Sequence, residues 1–396
     1  MSAGPTAAAG GPAPADDAAF EAGSAGWDPA QLPTLRRVGI VGAGLIGTSI
    51  GLALSAQGVE VLLRDADDAQ VTIAEKMGAG RRWEGERVDH AVVATPLPTI
   101  AREVRALVLA GLADSVSDAG SVKTRPWVEV ERLGADRSPA DLSIWCPAHP
   151  IAGRERHGAV SARPDLFAER VWAVCPLPGT APAALHATVA LALACGATPV
   201  RTTPDRHDEA MATVSHVPQL VASVLAGTLT RLSARDVPLA GQGFRDTTRL
   251  ADSDASLWAG IIEGNREPIA RRVRELGTRL TALADILDAG VPTGVTSAVT
   301  GLMRDGHSGR ARLPRKAGAA VREWGWVGVV LDDRPGQLAA IVGLISAWEV
   351  NIEDVGPFEH SLDAPAGIVE LAVDPALADE VVDRLTATGW TAYRRS

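Results

Sequence analysis

Apolar residues along the chain recur first with the spacings of strands and helices in turn, and later with the spacing of helices alone. A strand pattern over 37–41 leads through a glycine-rich turn into an apolar helical pattern over 45–56, and a second strand follows at 60–63. Strand-like runs at 90–95, 115–118, 142–146 and 171–175 alternate with helical patterns at 99–109 and 183–194. Such alternation predicts an α/β domain whose strands form a parallel sheet with helices on both faces. Beyond residue 204 the pattern changes, because 208–232, 256–265 and 267–289 carry apolar residues three and four apart, which predicts an all-helical second domain. Helices this long and apolar either pack into an internal bundle or bury a face against a second copy of the chain. The stretch 302–322 is basic, glycine-containing and aperiodic, and reads as a linker. After it come strands at 326–331, 352–355 and 367–373, a helix within "DDRPGQLAAIVGLISAW", another over 376–388, and a last short strand. The predicted divisions are a tail over 1–34, a sheet domain over 35–203, a helical domain over 204–301, a linker over 302–323 and a small α+β module over 324–396.

Composition narrows the function. A chain of 396 residues is long enough for two or three domains, and 46% hydrophobic with 22% charged residues is an ordinary globular balance. A net charge of −10 argues against nucleic-acid binding, which draws most of its affinity from a basic face. The three cysteines, Cys146, Cys175 and Cys195, show neither CxxC spacing nor an even count, and read as reduced core residues. The Ala-, Gly- and Pro-rich start lacks the basic and apolar regions of a secretory signal. No run reaches the roughly 18 consecutive apolar residues of a membrane span, so a cytoplasmic protein with no membrane partner is expected. No metal site is expected.

The most specific chemical signal is "VGIVGAGLIGTSIGLAL", which sets Gly42, Gly44 and Gly47 at G-x-G-x-x-G spacing between a predicted strand and helix. Gly42 permits the tight turn, Gly44 leaves room for a pyrophosphate, and Gly47 lets the helix approach the strand. Backbone N–H groups at Leu45 and Ile46 then face the phosphates. Asp65 stands 18 residues after Gly47 at the end of the second strand, where an acid accepts hydrogen bonds from ribose hydroxyls and favours NAD. Arg64 beside it either pairs with a 2′-phosphate or is a solvated surface residue. Thr95 ends the next central strand and belongs to the same cofactor edge.

Two segments should reach the sheet edge where ligands bind: "SDAGSVKT", with Asp118, Ser121 and Lys123, and "PAHPIAGRERHG", with His149, Glu155 and His157. A histidine before a proline is either a loop residue or, with a hydrogen-bonding serine in reach, a catalytic one. The helical region adds "HDEAMATVSHVPQL", with His207, Asp208, Ser215, His216 and Gln219, and "GFRDTTRLADSDASLW", with Arg245, Arg249 and Trp258. The two arginines suit either a salt-bridged helix start or a dicarboxylate substrate held by guanidinium forks.

Together, "GLIGTSIGLAL", "SDAGSVK", "HPIAG", "SHVPQ" and "GFRDTTRLA" resemble, in order and spacing, the prephenate and arogenate dehydrogenases of tyrosine biosynthesis. The resemblance covers about residues 36–289. It implies a Rossmann-type domain followed by a helical dimerisation domain, a homodimer, and NAD-dependent oxidative decarboxylation of prephenate, or alternatively of arogenate. By that resemblance His149 takes the ring-hydroxyl proton, Ser121 orients it, and Arg249, with Arg245 nearby, binds a substrate carboxylate. Ser215 and Gln219 would lie near the substrate side chain, Trp258 over the pocket, and Glu155 with Asp208 in an ionic gate. The family segment often reads S-H-x-P-H, and Gln219 departs from it, which bears on the choice between a keto-acid and an amino-acid side chain. The last module resembles an ACT domain, a ferredoxin-like effector module. In it Gly336, Gln337 and Asn351 would bind an amino acid, with tyrosine expected.

Two other classes compete. A ligand-responsive binding protein with a vestigial dinucleotide fold would have no need of His149, Ser121 and Arg249 together. A 3-hydroxyacid or 6-phosphogluconate type of dehydrogenase favours a lysine on a helix of the second domain, and none occurs between residues 183 and 301.

Overall fold

The computed structural model describes residues 27–135, 141–152, 158–313, 324–332, 334–356, 359–360 and 366–395. The chain divides into two compact units, Met1–Ala319 and Ala320–Ser396.

The first unit opens with strand β1 (Arg37–Val41), α1 (Leu45–Ser55) and β2 (Glu60–Arg64) where the periodicity predicts them, and adds α2 (Asp68–Lys76) and the short β3 (Arg81–Arg82), which it did not. Then come β4 (His90–Val93), α3 (Leu97–Ala110), β5 (Val116–Asp118), the likewise unpredicted α4 (Thr124–Ala135) and β6 (Trp145–Cys146). The six strands pair in the order β3-β2-β1-β4-β5-β6, every neighbour parallel. The order reverses between β1 and β4, and a ligand crevice forms at such a switch point. Val38, Ile40, Leu62, Leu63, Val92 and Val93 are fully or almost fully buried, as strands covered on both faces require. Trp145 is wholly buried and its indole N–H donates to Asp118 at 3.2 Å. Truncating a residue so packed costs about 3–5 kcal/mol.

Two expectations need correcting here. The strand predicted at 171–175 does not join the parallel sheet: β7 (Ala148–Pro150), β8 (Val171–Val174) and β9 (Thr198–Arg201) form a separate three-stranded sheet, with β7 antiparallel to β8. The helix α5 (Pro182–Ala194) joins β8 to β9 in the parallel connection that such a crossover requires. The linker predicted from 302 is helical as far as Ala311, because α11 (Pro292–Ala311) continues past Gly301, Gly306 and Gly309. An Arg279–Asp305 ion pair at 2.8 Å ties it to α10 (Arg266–Ala289).

The helical region begins with α6 (Pro204–Met211), capped by Thr203, and passes through a π turn (Ala212–His216) into α7 (Val217–Gly227). By length and composition the run Pro204–Arg231 could cross a bilayer, contrary to the reading of the sequence. Its buried polar residues His207, Asp208, His216 and Gln219 each bond another element, which suits the interior of a folded domain. Then follow α8 (Gln242–Thr248), a 3₁₀ turn (Arg249–Asp252), α9 (Ala255–Gly264), capped by Asp254, and α10.

The second unit contains β10 (Gly325–Asp332), α12 (Gln337–Ala347), β11 (Asp354–Val355), β12 (Glu359–His360), β13 (Ala366–Val373), α13 (Ala378–Ala387) and β14 (Thr391–Arg394). Its sheet runs β11-β13-β10-β14, all antiparallel, the split βαβ arrangement expected of the predicted element order, with the unpredicted two-residue β12 also paired to β13. Val329, Ile341, Ile345, Leu371 and Leu385 fill its own core.

His90, on the central strand β4, is fully buried between the Ser115 and Ser117 hydroxyls at 2.7 and 2.8 Å. Burial pushes its pKa down to about 3. The folded protein holds it neutral while the unfolded chain protonates it near the ordinary value of about 6.5. Its stabilisation is therefore complete above that value and is lost progressively as pH falls toward 3. Between about pH 5.5 and 4, denaturant unfolding of His90→Gln should show a slope shallower than wild type by about 1.4 kcal/mol per pH unit. Identical slopes would contradict the assignment.

Candidate active site

A cleft of about 1270 Å³ lies where the parallel sheet reverses, and its lining comes from five strand ends, the first two turns of α3 and one helix of the helical domain. Val41, Gly42, Gly44, Leu45 and Ile46 enter it after β1, Arg64 and Asp65 after β2, and Thr95 after β4. Ser121 arrives on the loop after β5, His149 from β7, and Asp254, Ser256, Leu257 and Ile261 from the start and face of α9.

The glycines act as their spacing predicts. Gly42 adopts φ +105°, and a Cβ there would stand 2.5 Å from the Ala94 carbonyl oxygen. A Cβ at Gly47 would stand 1.9 Å from the Gly42 carbonyl oxygen, so this residue serves close packing of α1 and does not line the cleft. Gly44 faces open space. As the N-cap of α1 it offers no side-chain acceptor, so the first N–H groups of the helix remain available to an anion. A dinucleotide fits this arrangement: phosphate donors at one helix start, an acid beside them, and a volume ample for cofactor and substrate together.

Asp65 is less free than a bare ribose acceptor. One carboxylate oxygen accepts from the Ala43 N–H at 2.6 Å and the other from the Asp67 N–H at 2.9 Å. Each oxygen keeps a second acceptor site. The Arg64 guanidinium lies over the Trp83 ring at 5.5 Å and 3.5 Å from Glu103, so it is already engaged.

His149 is half-buried, and its Nδ1 lies 2.9 Å from Nε2 of His207. The Nδ1 of His207 in turn lies 2.8 Å from an Asp208 oxygen. Among the described residues the His149 Nε2 makes no hydrogen bond. Burial holds the His149 pKa well below the ordinary histidine range, and the neighbouring His207, Lys123 and His216 push the same way. The imidazole is therefore neutral at pH 7 and able to accept a proton.

Lys123 is wholly buried, and its Nζ donates to Asp118 and to the Ala148 carbonyl, which joins the end of β5 to β7 beside His149. Asp208 is buried as well. Its carboxylate accepts the N–H groups of Lys123 and Thr124 at 2.9 and 2.8 Å and so caps the start of α4. It is an internal anchor, which corrects its expected place in an ionic gate. Its expected partner Glu155 lies outside the described residues.

The structure brings some predicted residues together and leaves others apart. His149 and Ser121 line one cleft, but the hydrogen bond at His149 is made by His207, a residue named in the sequence without a role. Arg245 and Arg249 are exposed on α8 and the turn after it, and neither lines the cleft. Gln219 is buried and spends its amide on the Leu250 carbonyl at 2.7 Å and the Ser253 hydroxyl at 3.3 Å, which fixes the turn carrying Arg249. Ser215 sits half-buried in the π turn, and Trp258 stands edge-on to His216 with centroids 6.1 Å apart. The signal for His207 was present in its adjacency to Asp208, but only the fold shows what the pair meets.

A neutral imidazole beside a dinucleotide crevice is the equipment for oxidising an alcohol, and the molecule is a nucleotide-binding oxidoreductase. Residues 50–201 match the nucleotide-binding domain of prephenate dehydrogenase, and residues 203–293 match its dimerization domain. The chain belongs to the prephenate dehydrogenase family. It is 32% identical to the probable prephenate dehydrogenase NovF of Streptomyces niveus, over 90% of this chain and 99% of that one. It is 25% identical to the prephenate dehydrogenase of Bacillus subtilis, over 82% of this chain and 88% of that one. The solved prephenate dehydrogenase of Aquifex aeolicus, in complex with hydroxyphenyl propionate and NAD+, shares the fold. Its TM-score is 0.61 at 23% identity, over 70% of this chain and 99% of that one.

Replacing Lys123 by methionine would strand the buried Asp118 charge. The loss of unfolding free energy should be about 3–5 kcal/mol, and adding Asp118→Asn should recover a large part of it. A loss under about 1 kcal/mol for Lys123→Met would show that the pair is not the buried tie described.

Proposed function

We propose that the chain is an NAD-dependent prephenate dehydrogenase, which converts prephenate to 4-hydroxyphenylpyruvate and carbon dioxide in tyrosine biosynthesis, in the cytoplasm. The observation that carries this reading is the neutral His149 imidazole in the cleft, with Nδ1 engaged and Nε2 unengaged among the described residues. Family membership supports the substrate class.

Gly42, Gly44, Leu45 and Ile46 would hold the pyrophosphate of NAD, Asp65 the adenosine ribose, and Thr95 the path between them, with Gly47 keeping α1 close. Bound NAD+ supplies the acceptor for the hydride that leaves the hydroxyl-bearing ring carbon. His149 takes the hydroxyl proton as that hydride departs and returns it to the phenolate oxygen once the opposite carboxylate has left as carbon dioxide. Ser121, which lines the same cleft, would orient His149 and help to hold the nicotinamide. Arg249, with Arg245 beside it, receives a substrate carboxylate; its turn immediately precedes the cleft-lining residues Asp254 and Ser256 and is anchored by Gln219. Ser215 and Trp258 complete the substrate side. Engagement of Arg64 by Trp83 and Glu103 supports NAD over NADP.

Two copies would pair through the helical domain, where Leu280, Leu287, Val291 and Met303 are half or more exposed. The C-terminal unit would serve as an ACT-type effector module. The N-cap of its α12 is Gly336, in the left-handed region at φ +88° and with no side-chain cap, so Gly336 and Gln337 offer N–H groups to an amino-acid carboxylate. Asn351 of a facing copy would meet the amine of bound tyrosine.

Purified full chain should reduce NAD+ with prephenate faster than with arogenate; failure with both would overturn the proposal, and a preference for arogenate would replace prephenate by it. His149→Asn should lower kcat by about a hundredfold or more with KM little changed. Arg249→Ala should instead raise KM by about tenfold, and an unchanged KM would remove it from substrate binding. In the same assay L-tyrosine should lower the rate, and an unaltered rate would exclude it as effector.

A further inference from the structure

A general base is useful only if its lone pair, and not its proton, faces the substrate. A neutral imidazole carries one proton, and the nitrogen that carries it depends on what the other nitrogen meets. At His149 that partner is a second imidazole, which leaves the tautomer open until the next group along the chain of contacts is considered.

Asp208 closes the question. It is an acceptor at both oxygens, since the Lys123 and Thr124 N–H groups donate to it at 2.9 and 2.8 Å. These bonds and its imidazole neighbour keep its pKa below the ordinary carboxylate range despite the opposing effect of burial. An ionised carboxylate 2.8 Å from the His207 Nδ1 requires that nitrogen to carry a proton. Burial outweighs the Asp208 charge and holds His207 below the ordinary histidine range, with Lys123 adding to the burial and Asp118 opposing it. His207 is thus neutral, and its Nε2 carries a lone pair. That lone pair lies 2.9 Å from the His149 Nδ1, which must therefore be the protonated nitrogen.

We propose that His207 and Asp208 are positioning residues that hold His149 in the tautomer protonated at Nδ1 and bare at Nε2, so that its lone pair faces the substrate. The pair acts only through His149, and its catalytic consequence rests on the role given to His149 above. It is held in turn from outside its own helix by the Asn265 amide, which donates to the Asp208 carbonyl at 2.7 Å and lies 3.1 Å from the His216 Nδ1, and from within it by the His207 N–H, which donates to the carbonyl of the N-cap Thr203 at 2.9 Å. The relay ties the base, carried on the small sheet, to the helix that starts the second domain.

The test combines the nitrogen NMR spectrum of the histidine-labelled full chain near neutral pH with steady-state kinetics. The His149 resonances, identified by their loss in His149→Asn, should show a neutral ring protonated at Nδ1. His207→Leu removes the acceptor. It should abolish the dominance of that tautomer and lower kcat with prephenate at least about tenfold, with KM within about twofold. His207→Gln offers an amide oxygen in the acceptor's place and should restore kcat to within about threefold of wild type. A wild-type His149 protonated at Nε2, or a His207→Leu enzyme with unaltered kcat, would overturn the proposal. If His207→Leu does not fold, the wild-type spectrum and the glutamine variant still decide it. Wild-type protein inert toward prephenate would sink the assigned reaction, while the spectrum would still judge the relay.

Discussion

The arrangement of the site depends on the buried carboxylate of Asp208. Located at the start of the helical region, it accepts two backbone N–H groups from the first turn of α4 and contacts His207. One anion thus caps a helix of the nucleotide-binding domain, joins that domain to the helical one, and sets the imidazole that meets His149. A buried carboxylate is costly unless its acceptor sites are filled, and here the donors come from a helix start whose dipole also favours negative charge. Lys123 makes the complementary tie on the cationic side, through Asp118 and the Ala148 carbonyl. Residues 118–124 therefore form a short bridge between the sheet edge and the strand that carries the base.

Much of this was legible in the chain. The glycine spacing, the bounds of β1, α1 and β2, the change to helices after residue 204 and the order of the C-terminal unit apart from the short β12 follow from periodicity and turn chemistry, which are local properties. What periodicity does not encode is which sheet a strand joins. Val171–Val174 is an apolar strand in either sheet, and only its pairing with Ala148–Pro150 and Thr198–Arg201 assigns it. The helix Pro292–Ala311 was hidden by Gly294, Gly301, Gly306 and Gly309, whose intrinsic helix propensity is low.

The site divides along the same line. The cofactor edge was readable because a dinucleotide demands residue types at fixed local spacing, and Gly42, Gly44, Asp65 and Thr95 stand where that spacing puts them. The partner of His149 was not readable, because His207 meets it across 58 positions of sequence and a lone histidine on an amphipathic helix looks like any polar-face residue. Gln219 shows the opposite case. Its place in a recognisable segment suggested a substrate contact, yet its amide holds the turn that carries Arg249. A family motif thus identifies a residue better than it identifies the bond that residue makes.

The account's central claim is that the unprotonated nitrogen of His149 faces a substrate ring held against nicotinamide in the cleft after β1 and β4. A crystal structure of the full chain with NAD+ and 4-hydroxyphenylpyruvate tests it most directly. The account predicts the phenolic oxygen within about 3 Å of the His149 Nε2, with the nicotinamide stacked on the same ring. A phenol bound elsewhere, or a His149 ring turned away from it, would contradict the account.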